Sequence, residues 1–284
     1  EMAPQLLARE DADAAAVVQT ALERDGVRVL LGHEAIEARV GEPNLLTVEH
    51  EGIRSELPFD LVLVAVGRTA NVDGFGLETL GIPLRANRTI ETDDHLRTRF
   101  PNILAVGDVA GPFQLTHAGA HQAWYATLNA LFGRFKSFRA DYRVMPAATF
   151  TDPELARVGI NEREAKAQKI AVEVVVHPFS ALDRAIAEGA TEGFVKVLVA
   201  PGKDTILGAT VVGARAGDLI AIFALAMKQK IGLDKILGTV FAYPTFAEAA
   251  KFAAGTRRKR RTPQWALAWL QKYHTLERRD WKRK

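Results

Sequence analysis

The richest chemistry in this chain lies between Phe100 and Ala126, in FPNILAVGDVAGPFQLTHAGAHQAWYA. The short apolar run Ile103 to Val106 predicts a buried strand. Gly107, directly after it, allows a ligand to come close to the backbone. Asp108 then offers a carboxylate at the carboxyl end of that strand, where α/β folds bind ligands. Beyond a loop with Gly111 and Pro112, Thr116 opens a helix that carries Ala118, Ala120, Ala123, Trp124 and Leu128. Its start, Thr116-His117-Ala118, aims backbone N–H groups and a positive dipole end at whatever lies in front of it. That suits an anion or an electron-rich ring carbonyl. An Asp after a strand also serves an ordinary turn, so the order of the parts is more specific than any one of them. His117 and His121 stand four apart on the helix, a spacing that can hold a metal. With no third Cys, Asp or Glu beside them they read as packing residues, and no metal is expected.

These residues need a scaffold, and composition bounds it. The chain has 284 residues, 25% of them charged, an ordinary globular composition with length for about two domains. It has no cysteine, which excludes a disulfide, a thiolate metal site and a cysteine nucleophile within these residues. No run of 18 apolar residues spans a bilayer, and no secretory signal is visible. The net charge of +3 is uneven. Residues 256–284 hold eleven Lys and Arg against two acids, a balance of +9, which leaves −6 for the rest.

Along the chain, Asp11 to Asp25 predicts a helix with Ala14, Ala15, Val17, Val18, Ala21 and Leu22 on one broad face, ended by Gly26. Val27 to Leu31 predicts a strand. Ala35 to Val40, Leu45 to His50 and Ile53 to Leu57 alternate like a meander, and Leu61 to Val66 is a wholly apolar strand. After Arg143 the pattern changes. Thr151-Asp152-Pro153-Glu154 carries a helix-start signal. Strands follow at Val172 to Val176, Gly193 to Val199 and Ile206 to Val212, then a long apolar helix from Asp218 to Lys230, stopped by Gly232, and a short one from Lys235 to Leu237 capped by Asp234. An α/β part followed by an α+β part is expected.

The Gly107-Asp108 segment and its following helix resemble the flavin-binding motif of the pyridine nucleotide–disulfide oxidoreductases. The resemblance implies that Asp108 hydrogen-bonds the ribityl chain of FAD and that Thr116, His117 and Ala118 support the pyrimidine end of the flavin. Ala65, Gly67, Arg68 and Asn71 match the family's turn from the NAD domain back to the FAD domain. On that alignment Glu1 ends the second strand of the NAD domain, where a carboxylate accepts the ribose hydroxyls and favours NAD over NADP. An exposed terminal Glu is the other reading of the same residue. The implied domains are residues 1–71 (end of the NAD-binding domain), 72–143 (second FAD-binding segment), 144–255 (dimerisation) and 256–284 (a basic tail). The fold class is thus the second halves of two α/β nucleotide-binding domains followed by an α+β interface domain. No G-x-G-x-x-G occurs, so both phosphate-cradling loops and the family's redox cysteine pair are expected outside this chain, which reads as a C-terminal fragment.

Where many family members have His-Pro-Thr-x-x-Glu, this chain has Tyr243-Pro244-Thr245, with Glu248 at the last position. By resemblance Tyr243 and Glu248 reach the partner subunit's site. A phenol is a poor base near neutral pH but a good hydrogen-bond donor, and the Tyr version is similar to mercuric reductases. An interface aromatic and a first-turn acid are the plainer readings. The resemblance implies an FAD-dependent oxidoreductase that takes electrons from NAD(P)H to a disulfide, metal or other small acceptor, homodimeric through residues 144–255, in the cytoplasm. The alternative is a non-catalytic dimerisation or docking module. In the tail, Arg257 to Arg261 precede Thr262-Pro263, an N-cap and N1 pair. Trp265, Trp269, Leu270, Tyr273 and Leu276 then share a helical face, with Lys272, Arg278, Arg279, Lys282, Arg283 and Lys284 adding charge. This helix suits either an anionic membrane surface or the chain's own acidic body; nucleic acid is not expected, since no such motif is present.

Overall fold

Asp11 to Gly26 folds as its pattern predicts. Helix α1 (Ala12–Arg24) buries Ala14, Ala15, Val18 and Ala21, and Gly26 releases the chain at φ +90°. The meander follows as β1 (Glu34–Arg39), β2 (Asn44–His50) and β3 (Ile53–Phe59), in that order across one sheet. Next come the single turn α2 (Leu77–Leu80) and the long helix α3 (Thr116–Phe132). The remainder is β4 (Ala147–Thr149), β5 (Glu154–Gly159), α4 (Glu162–Ala167), β6 (Glu173–Pro178), α5 (Asp183–Glu188), β7 (Phe194–Val199), β8 (Ile206–Gly213), α6 (Ala216–Lys228), α7 (Leu233–Leu237), α8 (Glu248–Arg261) and α9 (Gln264–Trp281). This computed structural model describes residues 1–281, with side chains to Arg278; Lys282, Arg283 and Lys284 of the tail lie outside the described residues.

The chain divides into two units, one of residues 1–41, 45–57 and 146 onward, the other of residues 42–44 and 58–145. The first is built on an antiparallel sheet ordered β4-β5-β8-β7-β6. Its central strands are nearly continuous apolar runs, and Val195, Val197, Leu198, Val199, Ala209, Val211 and Val212 are buried. Helix α6 covers β5 and β8, while α8 covers β6 and β7. Gly208 permits the chain to pass close at one point, since a Cβ there would lie 1.9 Å from the Ile160 carbonyl oxygen.

Helix α1 belongs to this unit. Ala14 and Val18 form a core with Leu155 and Val212, joined by Leu7, Val17, Leu22 and Phe194. A buried ion cluster anchors the same helix. Lys196 Nζ lies 3.2 Å from Asp11, 2.6 Å from Asp13 and 2.5 Å from Glu162. Burial pulls this ammonium toward its neutral form, but hydrogen bonds to Asp13 and Glu162 and the charge of Asp11 outweigh it and hold the pKa above the usual lysine value.

In the second unit, Ala70, Val72, Leu77, Ile82, Ile90, Ala105 and Ala110 form the core, with Phe100, Ile103 and Val109 packed against it. Strands are scarce here, so side chains do the stitching. Arg85 donates to the carbonyls of Ile90 (2.8 Å), Ala110 (2.8 Å) and Thr92 (3.0 Å).

Four expectations are corrected. Leu61 to Val66 forms no strand; Leu61 and Leu63 are 93% and 91% exposed. Val27 to Leu31 forms none either, although Leu30 O accepts from the Glu1 ammonium and Gly32 N donates to Ala3 O. Ile103 to Val106 makes a single bridge, Leu104 to Arg97. A strand buried on both faces needs hydrogen-bonded neighbours, and none of these runs is paired into either sheet. Finally, the signal at Thr151–Glu154 opens β5 and not a helix. Pairing with β4 on one side and β8 on the other buries Leu155, Ala156 and Val158 and outweighs the local preference. The helix begins later, at α4, where Asn161 and Glu164 form a capping box.

Candidate functional site

The turn after Val106 is a short 3₁₀ segment, Gly107–Val109. Gly107 sits at φ +79°, a conformation that favours glycine, and nothing lies within 4 Å of where its Cβ would be. Asp108, next in the turn, is exposed. The turn on either side of it is held by α3 through one side chain. Gln122 is fully buried and accepts from the Gly107 N–H at 2.5 Å. Its amide nitrogen donates to Gly111 O at 2.6 Å and to the Tyr142 hydroxyl at 2.9 Å. Burial pushes the Tyr142 phenol above its usual pKa and keeps it protonated.

Helix α3 approaches this turn closely because Gly119 has no side chain; a Cβ there would lie 3.3 Å from Gly107 Cα. The helix starts at Thr116 after Leu115, whose side chain makes no capping bond. Thr116 and His117 are exposed and Ala118 is fully buried. An exposed carboxylate on a glycine turn therefore belongs to the same unit as a helix start whose N-cap residue, Leu115, supplies no side-chain cap. The pair offers an acceptor for hydroxyl groups and a dipole end for negative charge. His121, one turn on, directs Nε2 to Asp141 O at 3.2 Å and its ring edge to Tyr125.

Tyr243 is 70% exposed, and its hydroxyl donates to Asp183 Oδ2 at 2.9 Å. That bond, and the charge of Asp183, raise the pKa of the phenol. Glu248, almost buried in the first turn of α8, accepts from the Thr245 N–H at 3.2 Å. Its carboxylate thus braces the Tyr-Pro-Thr turn that precedes α8, and the partner of the Tyr243 hydroxyl is Asp183. Gly67, at φ +125°, and Arg68 lie in the exposed segment after Leu61–Val66. Glu1 is exposed, and one of its carboxylate oxygens accepts from Ala3 N at 2.7 Å. Among the described residues, the acidic groups that converge at metal-binding spacing are Asp11, Asp13 and Glu162; Lys196 already supplies their cation.

Sequence reasoning missed Gln122, Tyr142 and Asp183. A glutamine within a helix carries no motif, and Asp183 meets Tyr243 across 60 residues. The only signal for Gln122 was its polarity on a helix otherwise rich in alanine.

Comparison with known proteins adds three findings. The family model described as "Pyridine nucleotide-disulphide oxidoreductase" matches residues 1–123, and "Pyridine nucleotide-disulphide oxidoreductase, dimerisation domain" matches residues 145–254. The dihydrolipoyl dehydrogenase of Geobacillus stearothermophilus is 36% identical over 255 residues, covering 89% of this chain and 54% of its own length. That of Chlamydia muridarum is 34% identical over 249 residues, covering 87% and 52%. Among solved structures, LpdA from Mycobacterium tuberculosis superposes with a TM-score of 0.78 at 30% identity, over 88% of this chain and 53% of its own. The HOCl-induced flavoprotein disulfide reductase RclA from Escherichia coli gives 0.80 at 26% identity, over 90% and 58%. The chain thus spans about half the length of the curated relatives it matches.

Proposed function

The chain belongs to the pyridine nucleotide–disulfide oxidoreductase family, and on that premise we propose that it supplies flavin-holding and subunit-pairing parts of an FAD-dependent oxidoreductase. Such an enzyme takes electrons from NAD(P)H and delivers them to a disulfide, a metal ion or another small acceptor. The observation that carries this reading is the Gly107–Ala118 assembly: a glycine turn open on its Cβ side, an exposed Asp108, and a helix start whose N-cap residue is the apolar Leu115. That donor set fits a flavin with a polyol chain. Bound there, FAD supplies the electron-transfer chemistry, and the protein supplies placement and electrostatics.

Asp108 accepts from the hydroxyls of the ribityl chain. The start of α3 favours negative charge at the pyrimidine end of the ring. Gln122 fixes the turn that holds both in place. Gly67 and Arg68 form the return from an NAD-binding segment (residues 1–71) to an FAD-binding segment (residues 72–143). Glu1 favours NAD over NADP by accepting the ribose hydroxyls. Residues 144–255 pair two copies of the chain, and Tyr243 serves the partner's site by turning there the one O–H that it gives to Asp183 in the single chain. Glu248 supports it by accepting from the Thr245 N–H of the Tyr-Pro-Thr turn. The reading places the protein in the cytoplasm, with the tail at a membrane surface; among the described residues no helix is long and apolar enough to cross a membrane.

Asp108→Ala in the full-length protein tests this reading. Flavin content, read as visible absorbance per protein after purification, should fall to a small fraction of the parent's. Unchanged flavin content would sink the assignment. A second reading, a non-catalytic dimerisation or docking module, is favoured by the absence of cysteine and by the exposed run Leu61–Val66. A colourless dimer, inert toward NADH, would support it for this chain.

A further inference from the structure

The basic run before the last helix contains two kinds of cation. Arg257 is fully buried: Nε and Nη2 lie 3.1 and 2.9 Å from Glu173, and the Lys203 carbonyl and Asp234 complete its partners. It anchors the end of α8 to the sheet. The next four residues, Arg258, Lys259, Arg260 and Arg261, are all exposed. Thr262 and Pro263 then end α8, and α9 begins at Gln264.

Helix α9 leaves its apolar residues in solvent. Trp265 is 74% exposed, Trp269 61% and Leu276 59%, and Leu267, Leu270 and Tyr273 are exposed too. Trp265, Trp269, Tyr273 and Leu276 follow one another at spacings of four, four and three, which is one stripe along the helix. The hydrogen bonds, ion pair and ring contacts found for α9 side chains stay inside α9: Tyr273 to Glu277, Thr275 to Gln271, Arg278 to His274, His274 to Glu277, and Trp269 stacked on Tyr273. At 18 residues, and without a window apolar enough to span a bilayer, α9 fits a surface lying parallel to it.

We infer that α9 and the exposed quartet Arg258–Arg261 form a peripheral docking surface for an anionic lipid bilayer, with the aromatic stripe in the interface and the cations over the headgroups. Charge selects this occupant. The segment from residue 256 carries +9 and the rest of the chain −6, so an anionic surface attracts the tail and repels the body. That asymmetry gives the bound protein an orientation. Tryptophan and tyrosine suit the headgroup level because each pairs an apolar ring with a polar edge. A second copy meeting it tail to tail would bring the same positive charge to the contact and gain nothing from it.

The test is co-sedimentation of the full chain with vesicles of phosphatidylcholine alone and of phosphatidylcholine mixed with phosphatidylserine, at low and high salt. Binding should appear with phosphatidylserine, fall as salt is added, and shift tryptophan emission to the blue. Trp265→Ser with Trp269→Ser should abolish both the shift and the binding. Arg258→Gln, Lys259→Gln and Arg261→Gln together, with Arg257 kept, should weaken binding about fivefold per cation removed. Far-UV circular dichroism of each variant should match the parent, since neither set touches the buried anchor. No binding, or equal binding to both vesicles, overturns the inference. So does emission that is already blue without lipid: if salt reverses it, the tail lies on its own acidic body, and if dilution reverses it, on a second copy.

Discussion

Replacing Gln122 with leucine should loosen the turn that presents Asp108. The two side chains are close in volume, so the change leaves no large cavity. What it removes is polar satisfaction: the acceptor of the Gly107 N–H at 2.5 Å and the donors to Gly111 O at 2.6 Å and the Tyr142 hydroxyl at 2.9 Å. A buried backbone group left without a partner costs about 1–3 kcal/mol. Gly111 is buried and bears that cost in full, whereas Gly107 is half-buried and water recovers part of it. The turn should therefore be destabilised by about 2–4 kcal/mol. At 1.4 kcal/mol per tenfold, amide protection falls by roughly 30- to 1,000-fold. Hydrogen–deuterium exchange on a peptide spanning residues 104–115 measures this, with peptides from β7 and β8 as an internal control because they belong to the other unit. Fast exchange confined to the turn is the expected result, together with loss of bound flavin in the full-length protein. Unchanged exchange at Gly107 and Gly111 would refute the role given to Gln122. Equal loss of protection in β7 and β8 would refute its confinement to this unit.

Two further changes probe the other unit. Lys196→Met strips the counter-charge from Asp11, which is 6% exposed, although the Glu162 and Arg163 amides still donate to it. Breaking a fully buried pair costs about 3–5 kcal/mol, and the half-exposed Asp13 and Glu162 bring the expected loss to the lower end. A lower urea midpoint with an unchanged slope is expected, and an unchanged midpoint would show that the cluster contributes nothing. Asp183→Asn removes the negative acceptor that raises the Tyr243 phenol. A negative neighbour disfavours phenolate, so the substitution should lower the pKa toward the ordinary tyrosine value. Ultraviolet titration, with Tyr243→Phe to identify the signal, reads the shift; no shift, or one upward, means that Asp183 does not govern this phenol.

What the sequence revealed divides along a physical line. Helix α1 and strands β7 and β8 were legible because each finds within this chain the surface that its pattern demands, and β1–β3 and helix α3 because their alternation, turns and start residues mark them, although β1 is exposed along its length. Leu61 to Val66 was misread for the opposite reason: an apolar run records a need for neighbours, not their presence. Thr151–Glu154 showed helix-start residues, but burial of Leu155 and Val158 between two strands decided otherwise. The basic run Arg257–Arg261 was legible as charge, yet nothing in it marked Arg257 as the one arginine that enters the core to meet Glu173 and Asp234. At the candidate site the turn and helix start had a pattern to follow. The residues that lock them in place, Gln122 and Tyr142, did not, because a buried hydrogen bond is specified by three-dimensional position and not by spacing along the chain.

The placement of α1 also sets a timetable for synthesis. Its apolar face is completed by Leu155 and Val212, and its Asp11 waits for Lys196, 185 residues downstream. At about 5–20 residues per second, a ribosome needs roughly 10–40 s to deliver that lysine. Before that interval closes the second unit has all of its own chain, whereas α1 still lacks Lys196 and Val212. Helix α1 is thus made well before the partners it needs, and during that time its alanine and valine face is open to whatever chaperone waits at the exit tunnel.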